Sequence, residues 1–344
     1  MKKTVFYVFN FLFLFLISCS DNDQFQPSPS AIITFIGNDG ELLHTGRDKA
    51  TMKSYFYKTD YDGKIKWIHS LKVDASSTNK ICPMADGSAL VASYSDGIGQ
   101  LIYVSPSGIK AWEKTTEFFV YNIFLHNNEF WLTGKKSQGL GMVAVNKDSG
   151  EVLAETILND FQQHPTIFPA YKYFQGVVYL VTPVEQHLSI VKLDKSGEIW
   201  RKNNNDNVPA YAPKHIEIET DGTISVFVYE KRKIEFDVNG DWMATQNIFD
   251  EGFTLMGNAL YHKTSSGFHI FYTGDGKIVW LTLSNSFEIL STRNILTGAS
   301  INVPVQSKGI EDGMLLSIYG NSFVDGDVSF VYRLSNDGTI SQLQ

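Results

Sequence analysis

The segment Tyr57–Trp67, YKTDYDGKIKW, decides the fold, because the same arrangement returns six more times along the chain. It consists of an apolar strand, a turn in which Asp, Asn or Ser precedes glycine, and a second strand that often carries Trp. The other copies are Tyr103–Trp112 (YVSPSGIKAW), Val143–Leu153 (VAVNKDSGEVL), Val191–Trp200 (VKLDKSGEIW), Ile234–Met243 (IEFDVNGDWM), Trp280–Leu290 (WLTLSNSFEIL) and Tyr332–Ile340 (YRLSNDGTI). The turn residues, glycine except for Phe287 in the sixth copy, are 42 to 51 positions apart. Such regular spacing indicates a repeat architecture.

A second series of turns precedes these segments, one turn for each. Its members are Asp39–Gly46 (DGELLHTG), Asp86–Ser93 (DGSALVAS), Asn128–Gly134 (NEFWLTG), Gln175–Thr182 (QGVVYLVT), Asp221–Val228 (DGTISVFV), Ser266–Thr273 (SGFHIFYT) and Asp312–Tyr319 (DGMLLSIY). Glycine suits a tight hairpin because it adopts positive φ without steric cost. Phe287 departs from this pattern, so we expect a different turn type or a longer loop there.

Each period of about 45 residues therefore holds four strands, which is typical of a propeller blade. The sequence predicts an all-β fold over residues 31–344: a seven-bladed β-propeller of four-stranded antiparallel blades. The innermost strand of each blade precedes the first turn, and neighbouring blades stack around a central channel. The phase of the repeats predicts blades of contiguous sequence, so we expect Ile32–Ile36 to belong to the first blade rather than to the last.

The repeat, an apolar strand, a turn ending in glycine and a Trp-bearing strand, resembles the quinoprotein-like propeller repeats. A lipoprotein of the outer-membrane assembly machinery contains repeats of this kind, but in eight units, so the resemblance implies a scaffold role at most. A quinone-dependent dehydrogenase is disfavoured because the chain has no vicinal Cys pair and no evident tryptophan-docking repeat. We expect no cofactor.

The N-terminus resembles that of a bacterial lipoprotein. Lys2 and Lys3 precede an apolar run, Val5–Ile17. This run is shorter than a typical transmembrane helix, and its position is typical of the apolar region of a signal peptide. The run ends in Leu16-Ile17-Ser18-Cys19, which resembles a lipobox. The resemblance implies a signal peptide over residues 1–18 and a lipidated Cys19 whose thiol carries a diacylglycerol and whose amine is acylated, in the manner of a palmitate anchor. The alternative is an ordinary signal peptide with a chance Cys.

Residues 19–30 form a tether with little apolar content. Asp21-Asn22-Asp23 resembles the acidic export signal of surface lipoproteins of the Bacteroidetes; alternatively, these residues only solvate a linker. The expected location is therefore the outer membrane, with the propeller facing the periplasm or the cell surface. The expected partner of the N-terminus is the lipid bilayer.

Composition excludes several function classes. The net charge of −8 disfavours nucleic-acid binding, which needs basic surface to neutralise phosphates. The eight His residues show none of the usual metal-ligand spacings, so no metal site is expected. No nucleophile elbow, phosphate-binding loop or other catalytic motif is present, and we assign no catalytic residue. Cys82 would be unpaired once Cys19 is lipidated, and it suits a buried apolar position.

One mouth of the channel is the expected ligand site, because the inner strands of all blades begin there. Polar residues occur at or before these strands, with the aromatic residues Tyr121, Phe168 and Tyr211 nearby. Amide and imidazole groups beside aromatic rings suit a polar neutral ligand such as a sugar; alternatively, they only terminate strands. The irregular stretch Asn203–Lys214 is expected to fold over the mouth. The candidate residues are Asn79, Asn122, His164, His215, Asn258 and Asn302.

Two functions remain open. The first is a non-catalytic binding or scaffold lipoprotein that engages a protein or glycan through one propeller face. The second is an enzyme acting on a glycan or small molecule at the channel mouth, which would need converging carboxylates. The alternation of Glu217 and Glu219 with Ile216 and Ile218 predicts that one face of that strand meets channel water. The acidic candidates for the enzyme are Asp160, Asp206, Glu217 and Asp250.

Overall fold

The computed structural model describes residues 30–37, 39–73, 78–137, 139–162, 168–185, 187–209, 212–228, 232–248, 259–274, 277–295, 301–322 and 326–343. These ranges form 28 strands. Nothing in them is a helix that is both long and apolar enough to cross a membrane. The proposed signal peptide, Cys19 and residues 19–29 of the tether lie outside the described residues.

The strands form seven four-stranded antiparallel sheets, and each sheet takes four strands that are consecutive in the sequence. Blades 1 to 3 comprise β1 (Ser30–Ile36), β2 (Leu42–Arg47), β3 (Ser54–Thr59), β4 (Ile65–Ser70); β5 (Thr78–Pro83), β6 (Ala89–Ser95), β7 (Ile98–Val104), β8 (Lys110–Thr116); and β9 (Phe119–His126), β10 (Glu129–Lys136), β11 (Gly139–Asn146), β12 (Val152–Gln162).

Blades 4 and 5 comprise β13 (Ala170–Phe174), β14 (Val177–Val184), β15 (His187–Asp194), β16 (Gly197–Pro209); and β17 (Pro213–Ile218), β18 (Ile224–Val228), β19 (Arg232–Phe236), β20 (Trp242–Asn247). Blades 6 and 7 comprise β21 (Ala259–Thr264), β22 (Gly267–Gly274), β23 (Lys277–Ser284), β24 (Ile289–Ile295); and β25 (Ile301–Ile310), β26 (Gly313–Ser322), β27 (Gly326–Ser335), β28 (Ile340–Gln342). The predicted seven-bladed β-propeller is confirmed.

The ring closes without a shared strand. β1 pairs with β2 of its own blade, and blade 7 is complete with β28. The predicted contiguous blades are therefore confirmed. Closure depends instead on side chains: Ile36 and Leu42 of blade 1 pack with Leu315 and Val331 of blade 7.

The core is divided into seven apolar clusters, one at each junction between adjacent blades. This division follows from strand alternation, because successive side chains point to opposite faces of a blade and so toward opposite neighbours. In β18, Val226 packs toward blade 4 while Phe227 packs toward blade 6. Each blade is consequently stabilised from both sides, which a single sheet cannot achieve alone.

Antiparallel strands give the propeller two unlike faces. The first and third hairpin turns of every blade lie on one face, which we call the turn face; in blade 1 these are the turns at Gly40 and Gly63. The inner strands begin on the opposite face, which we call the strand-start face. The second hairpins, such as that at Gly97, also lie there.

The third hairpin turns of blades 1, 2, 5, 6 and 7 share one hydrogen-bond pattern, and the sequence prediction for Phe287 was wrong. In blade 2, the Gly108 amide donates to the Ser105 carbonyl with φ of +82°. In blade 6, Phe287 makes the equivalent bond to Ser284 with φ of +66°, so neither turn type nor length changes. The left-handed conformation is unfavourable for Phe, but its ring is buried and stacks on Phe268 at 5.1 Å. Tertiary packing thus offsets the local cost.

Three tryptophans dock on the turn of the next blade, contrary to the expectation that no docking repeat is present. The Trp67 indole of blade 1 lies against Gly108 of blade 2, where an added Cβ would come within 2.7 Å of the ring. Trp112 covers Gly150 and Trp200 covers Gly240 in the same manner. These glycines are required both by positive φ and by the close approach of the indole. In these three repeats, the Trp of one repeat therefore packs directly on the turn glycine of the next repeat.

Candidate functional site

The inner strands β5, β9, β13, β17, β21 and β25 place the predicted channel residues at unequal depths. Asn122 and His215 are half-buried, at the fourth position of β9 and the third of β17. The backbones of Asn79 and Asn302 lie on β5 and β25, where the structure does not describe their side chains. His164 and Asn258 lie outside the described residues, as does Tyr211. Of the six candidates, only His215 is shown at the centre of a polar cluster.

His215 and Glu217 form the core of that cluster. They are two positions apart on β17 and therefore point to the same side. The His215 Nε2–H group donates to Glu217 Oε2 at 3.2 Å. The imidazole also stacks on Tyr261 of blade 6, with ring centroids 5.2 Å apart and planes 13° apart. Stacking and hydrogen bond together fix the orientation of the ring.

Lysines from both neighbouring blades complete the cluster. Lys172 of β13 donates to Glu217 Oε2 at 3.1 Å, and Lys263 of β21 lies 4.0 Å from Glu217 Oε1. Lys263 also donates to both Glu219 oxygens, at 2.8 and 2.9 Å. The inner strands of blades 4, 5 and 6 are thus joined by one network of alternating charge.

The network fixes the protonation of its members. Burial alone would raise the pKa of Glu217, but the His215 hydrogen bond and the charge of Lys172 outweigh it and lower the pKa to about 2. Burial lowers the pKa of His215, and its bond to Glu217 only partly opposes this. At neutral pH the network therefore holds an ionised carboxylate beside a neutral imidazole. Glu217 is occupied as an acceptor and is unsuited to act as a general acid.

The alternation in β17 was read correctly. Ile216 and Ile218 are buried in the cluster between blades 4 and 5, whereas the side chains of Glu217 and Glu219 retain solvent contact. Nothing in the sequence of one strand points to Lys172 or Lys263, since they come from strands about 45 residues away in either direction. The sequence signal that could have found these lysines is the repeat itself, because all three strands are the inner strands of their blades.

Other expectations about the mouth were wrong. The stretch from Asn203 is not an irregular lid, because β16 continues to Pro209 and pairs with β15 across a bulge. Asp160 lies on the outer strand β12 and pairs with Arg201, far along the blade from the channel. Two of the predicted aromatic neighbours do lie together: Phe168 is exposed and contacts Tyr121 edge-on at 5.7 Å.

Two more histidines lie close together between blades 6 and 7. The His262 and His269 rings are 6.5 Å apart, and His262 Nδ1 is 3.2 Å from Ser307 Oγ. The Trp280 indole N–H donates to His269 Nδ1 at 3.0 Å, and burial lowers the pKa of His269 to about 4. No third ligand joins them, and the described ranges contain no group of three or more His, Cys, Asp or Glu that suits a metal ion. Burial raises the pKa of Cys82 to about 11, as expected for an unreactive thiol.

The outer edge of the turn face carries exposed apolar side chains. They follow the third hairpin turn of six consecutive blades, where the fourth strand begins. We call this set the apolar belt; it comprises Ile65, Ile109, Val152, Leu153, Ile199, Trp242, Met243, Ile289 and Leu290. Ile109 is 68% exposed and Leu290 60%. The belt repeats with the blades and lies beside acidic and basic residues such as Lys110 and Glu288.

No protein-family model and no curated protein sequence matches the chain. Solved structures do match. The chain is similar in fold to known propellers. BamB from Moraxella catarrhalis superposes with a TM-score of 0.53 at 12% identity, covering 89% of this chain and 100% of that protein. Virginiamycin B lyase from Staphylococcus aureus gives 0.57 at 17% identity, covering 89% and 94%.

The Dos1 propeller gives a TM-score of 0.54 at 11% identity, covering 87% of this chain and 77% of that one. Identities this low establish a shared architecture and nothing about shared chemistry. One of these structurally similar proteins is a lyase by name and the others are not. Function must therefore be argued from the side chains of this chain.

Proposed function

We propose that this protein is a lipid-anchored component of the outer membrane that acts as a non-catalytic binding scaffold through its turn face. The observation that carries the proposal is the apolar belt. Large apolar side chains exposed together on a soluble domain commonly mark a surface that another protein covers. Here the exposure recurs one to three residues after the third turn in six blades, so it follows the repeat.

The tether gives the scaffold a direction. β1 begins on the strand-start face, so a chain anchored through Cys19 leaves the propeller there. The eleven residues from Cys19 to Pro29 reach at most about 40 Å when fully extended. A path from the ring centre to the far face must pass a blade of four strands, about 15–20 Å wide, and then strands about 20 Å long. That path, about 35–40 Å, takes up the whole extended length of the tether, so a tether shorter than its full extension keeps the strand-start face nearest the membrane.

The channel network supports a binding role over catalysis. Its two carboxylates, Glu217 and Glu219, are both occupied by ion pairs, and Glu217 is held ionised by groups from three blades. The enzyme hypothesis needed two carboxylates in reach of one ligand. Asp160 belongs to the outer edge, while the structure does not describe the side chains of Asp206 and Asp250. No specific contact favours hydrolysis, and we propose no second function.

The anchor is tested by replacing the lipid-bearing cysteine. Cys19→Ala should move the protein from the membrane fraction to the soluble fraction and abolish labelling by an alkyne palmitate analogue. Cys82→Ala is the matched control, because it removes the other thiol and should leave both readouts unchanged. Membrane retention of Cys19→Ala with wild-type labelling would refute the anchor.

The scaffold is tested by charge substitutions on the two faces. Ile109→Lys combined with Leu290→Lys alters the belt, whereas Ile98→Lys combined with Met52→Lys alters residues of similar exposure on the strand-start face. Cross-linking in intact cells, followed by mass spectrometry, should yield envelope proteins that the belt variant loses and the control retains. Equal loss in both variants, or an unchanged set in the belt variant, would refute the role of the turn face.

A further inference from the structure

A cleft of about 440 Å³ opens on the turn face between blades 3 and 4. It is separate from the channel network and from the apolar belt. Its walls come from the first turn of blade 3 at Asn127, the start of β10 at Glu129 and Trp131, and the third turn of blade 4 at Asp194–Ser196. Its volume lies in the range of small-molecule sites, about 300–1,000 Å³.

The His126 and Trp131 rings of blade 3 line the cleft, and both pack against Tyr173 of blade 4, which is not itself part of the lining. His126 lies 5.1 Å from Tyr173 of blade 4, and Trp131 lies 5.5 Å from the same ring. The Tyr173 hydroxyl accepts from the Gly176 amide at 2.8 Å, which ties the ring to the first turn of blade 4. Trp131 is only 2% exposed, so this aromatic base of the cleft is packed before any ligand arrives.

Two of the three charges around the cleft are paired with each other, and the third is held by neutral donors. Glu129 accepts from Lys195 at 2.5 Å and from the Trp131 indole N–H at 3.2 Å. Asp194 Oδ1 accepts from the Ser196 amide, the Ser196 hydroxyl and the Gly197 amide at 2.6 to 3.2 Å. An anion entering the cleft would meet no free cation, because Lys195 is already bound to Glu129, and it would be repelled by the Asp194 carboxylate. A neutral ligand avoids this repulsion and the cost of desolvating an ion.

Hydrogen-bonding groups nevertheless remain open at the rim. The Asn127 amide donates to His126 Nε2 at 2.7 Å, so the proton of that imidazole is on Nδ1. Neither that Nδ1–H, nor the Asn127 carbonyl oxygen, nor Asp194 Oδ2 has a partner within the part of the chain that the structure describes. One donor and two acceptors therefore surround an aromatic base.

We propose that this cleft binds a neutral polyhydroxyl ligand, one or two sugar rings of a glycan. Sugar hydroxyls donate and accept, as this mixed set requires, and the partly exposed His126 ring gives the C–H face of a pyranose a surface to pack on. The inference does not rest on the lipid anchor or on the belt, and it assigns the glycan to the turn face instead of the channel mouth.

Backbone conformation offers a matched pair of variants. Asn127 and Asn128 both have positive φ, +46° and +65°, so glycine replaces either without strain. Asn127 lines the cleft, whereas the Asn128 side chain donates away to Asp148 at 2.7 Å. Asn127→Gly therefore removes the cleft amide, and Asn128→Gly is the control in the same turn.

The test uses the full-length chain in detergent micelles, with saturation-transfer NMR and titration calorimetry. The probes are methyl β-D-glucopyranoside, methyl α-D-mannopyranoside, N-acetylglucosamine and cellobiose, with inorganic phosphate as the charged probe. At least one saccharide should bind with a dissociation constant of about 10 mM or tighter. Asn127→Gly should weaken it about tenfold, which corresponds to one lost hydrogen bond, and Asn128→Gly by less than about twofold.

A second pair guards against a general effect on the turns. Ser196→Ala changes the cleft turn of blade 4, and Ser107→Ala changes the corresponding turn of blade 2. Only Ser196→Ala should weaken the saccharide. Binding of phosphate but of no saccharide, absence of any saccharide binding, or equal weakening by both members of either pair would overturn the proposal. None of these outcomes bears on Cys19 or on the belt partners.

Discussion

The junction between blades 4 and 5 and the junction between blades 7 and 1 hold the ring together in different ways. The first buries twelve apolar residues in one cluster, including Ile218 and Val226. The second, where the two ends of the propeller chain meet, buries four among the side chains that the structure describes. Polar ties supplement it: the Ile36 amide donates to Gln306 Oε1 at 2.6 Å, and Lys308 donates to the Gly37 carbonyl at 2.6 Å.

The difference teaches how a propeller closes when no strand is shared. Many propellers need the last blade to accept a strand from the other end of the chain, but here both blades are complete. Closure must then come from a small apolar cluster on β1, β2, β26 and β27 and from the polar ties that β25 makes to blade 1. We infer that this junction is the weakest of the seven and opens first.

The largest predicted effect compares equivalent isoleucines at these two junctions. Ile218 ends inner strand β17 and Ile36 ends inner strand β1, and both are buried. Ile218→Ala should reduce the free energy of unfolding by about 3–5 kcal/mol, and Ile36→Ala by about 2–3, because the smaller cluster relaxes more easily around the cavity. Urea denaturation measures both. A larger loss for Ile36→Ala would contradict the ranking of the junctions.

The sequence was sufficient to predict the blades but not the contacts at these junctions. Turn residues and strand alternation are local signals, so seven units, their four strands and their phase could be read directly. The closing contacts at Gln306 and Lys308 join positions about 270 residues apart and leave no periodic trace. Phe287 failed for a related reason, since tertiary stacking overrode the local preference for glycine.

The second prediction concerns pH and the first blade. His44 is fully buried, with both ring nitrogens 2.8 Å from the hydroxyls of Thr34 and Thr59, and burial lowers its pKa to about 3. The unfolded chain therefore binds a proton below pH 6.5 that the folded chain does not. Stability should fall by up to about 1.4 kcal/mol per pH unit, or about 2 kcal/mol between pH 6.5 and pH 5.

A variant without His44 separates the pH dependence of stability that is due to His44 from that of the other titrating groups. His44→Leu should be less stable at pH 7, because two buried hydroxyls lose their partner, but its stability should depend less steeply on pH. Urea denaturation from pH 7 to pH 5 gives both curves. Parallel curves would mean that blade 1 does not contribute to acid sensitivity, and the closing junction would then be no more acid-labile than the others.

Predictability was lower for the candidate sites than for the fold. His215 was identified from its place on an inner strand, but its partners Lys172 and Lys263 became visible only when three blades were placed side by side. The cleft at Asn127 was missed because its walls come from two turns of different blades. Sites of this kind depend on the packing of repeats, and a single repeat carries no signal for them.

The third prediction removes a polar tie from the closing junction. Gln306 follows a bulge in β25 that turns its side chain toward blade 1. Gln306→Met keeps the length of the side chain but leaves the buried Ile36 amide without its acceptor, which should cost about 1–2 kcal/mol. Hydrogen exchange at the Ile36 amide should accelerate while exchange in β17 is unchanged. Uniform acceleration across the ring would instead indicate that the junctions open together.

The smallest effect is expected when Lys308, the residue of the other polar tie, is replaced by Met. Lys308→Met removes the donor to the Gly37 carbonyl, but that carbonyl also accepts from the Gly40 amide at 3.4 Å and so keeps a partner. Burial lowers the pKa of Lys308, and the charge of Asp39 only partly opposes this. Losing a partly desolvated ammonium therefore offsets the lost bond, and stability at pH 7 should change by less than about 0.5–1 kcal/mol. A loss larger than that of Gln306→Met would show that the closing junction depends on charge more than on the amide of β1.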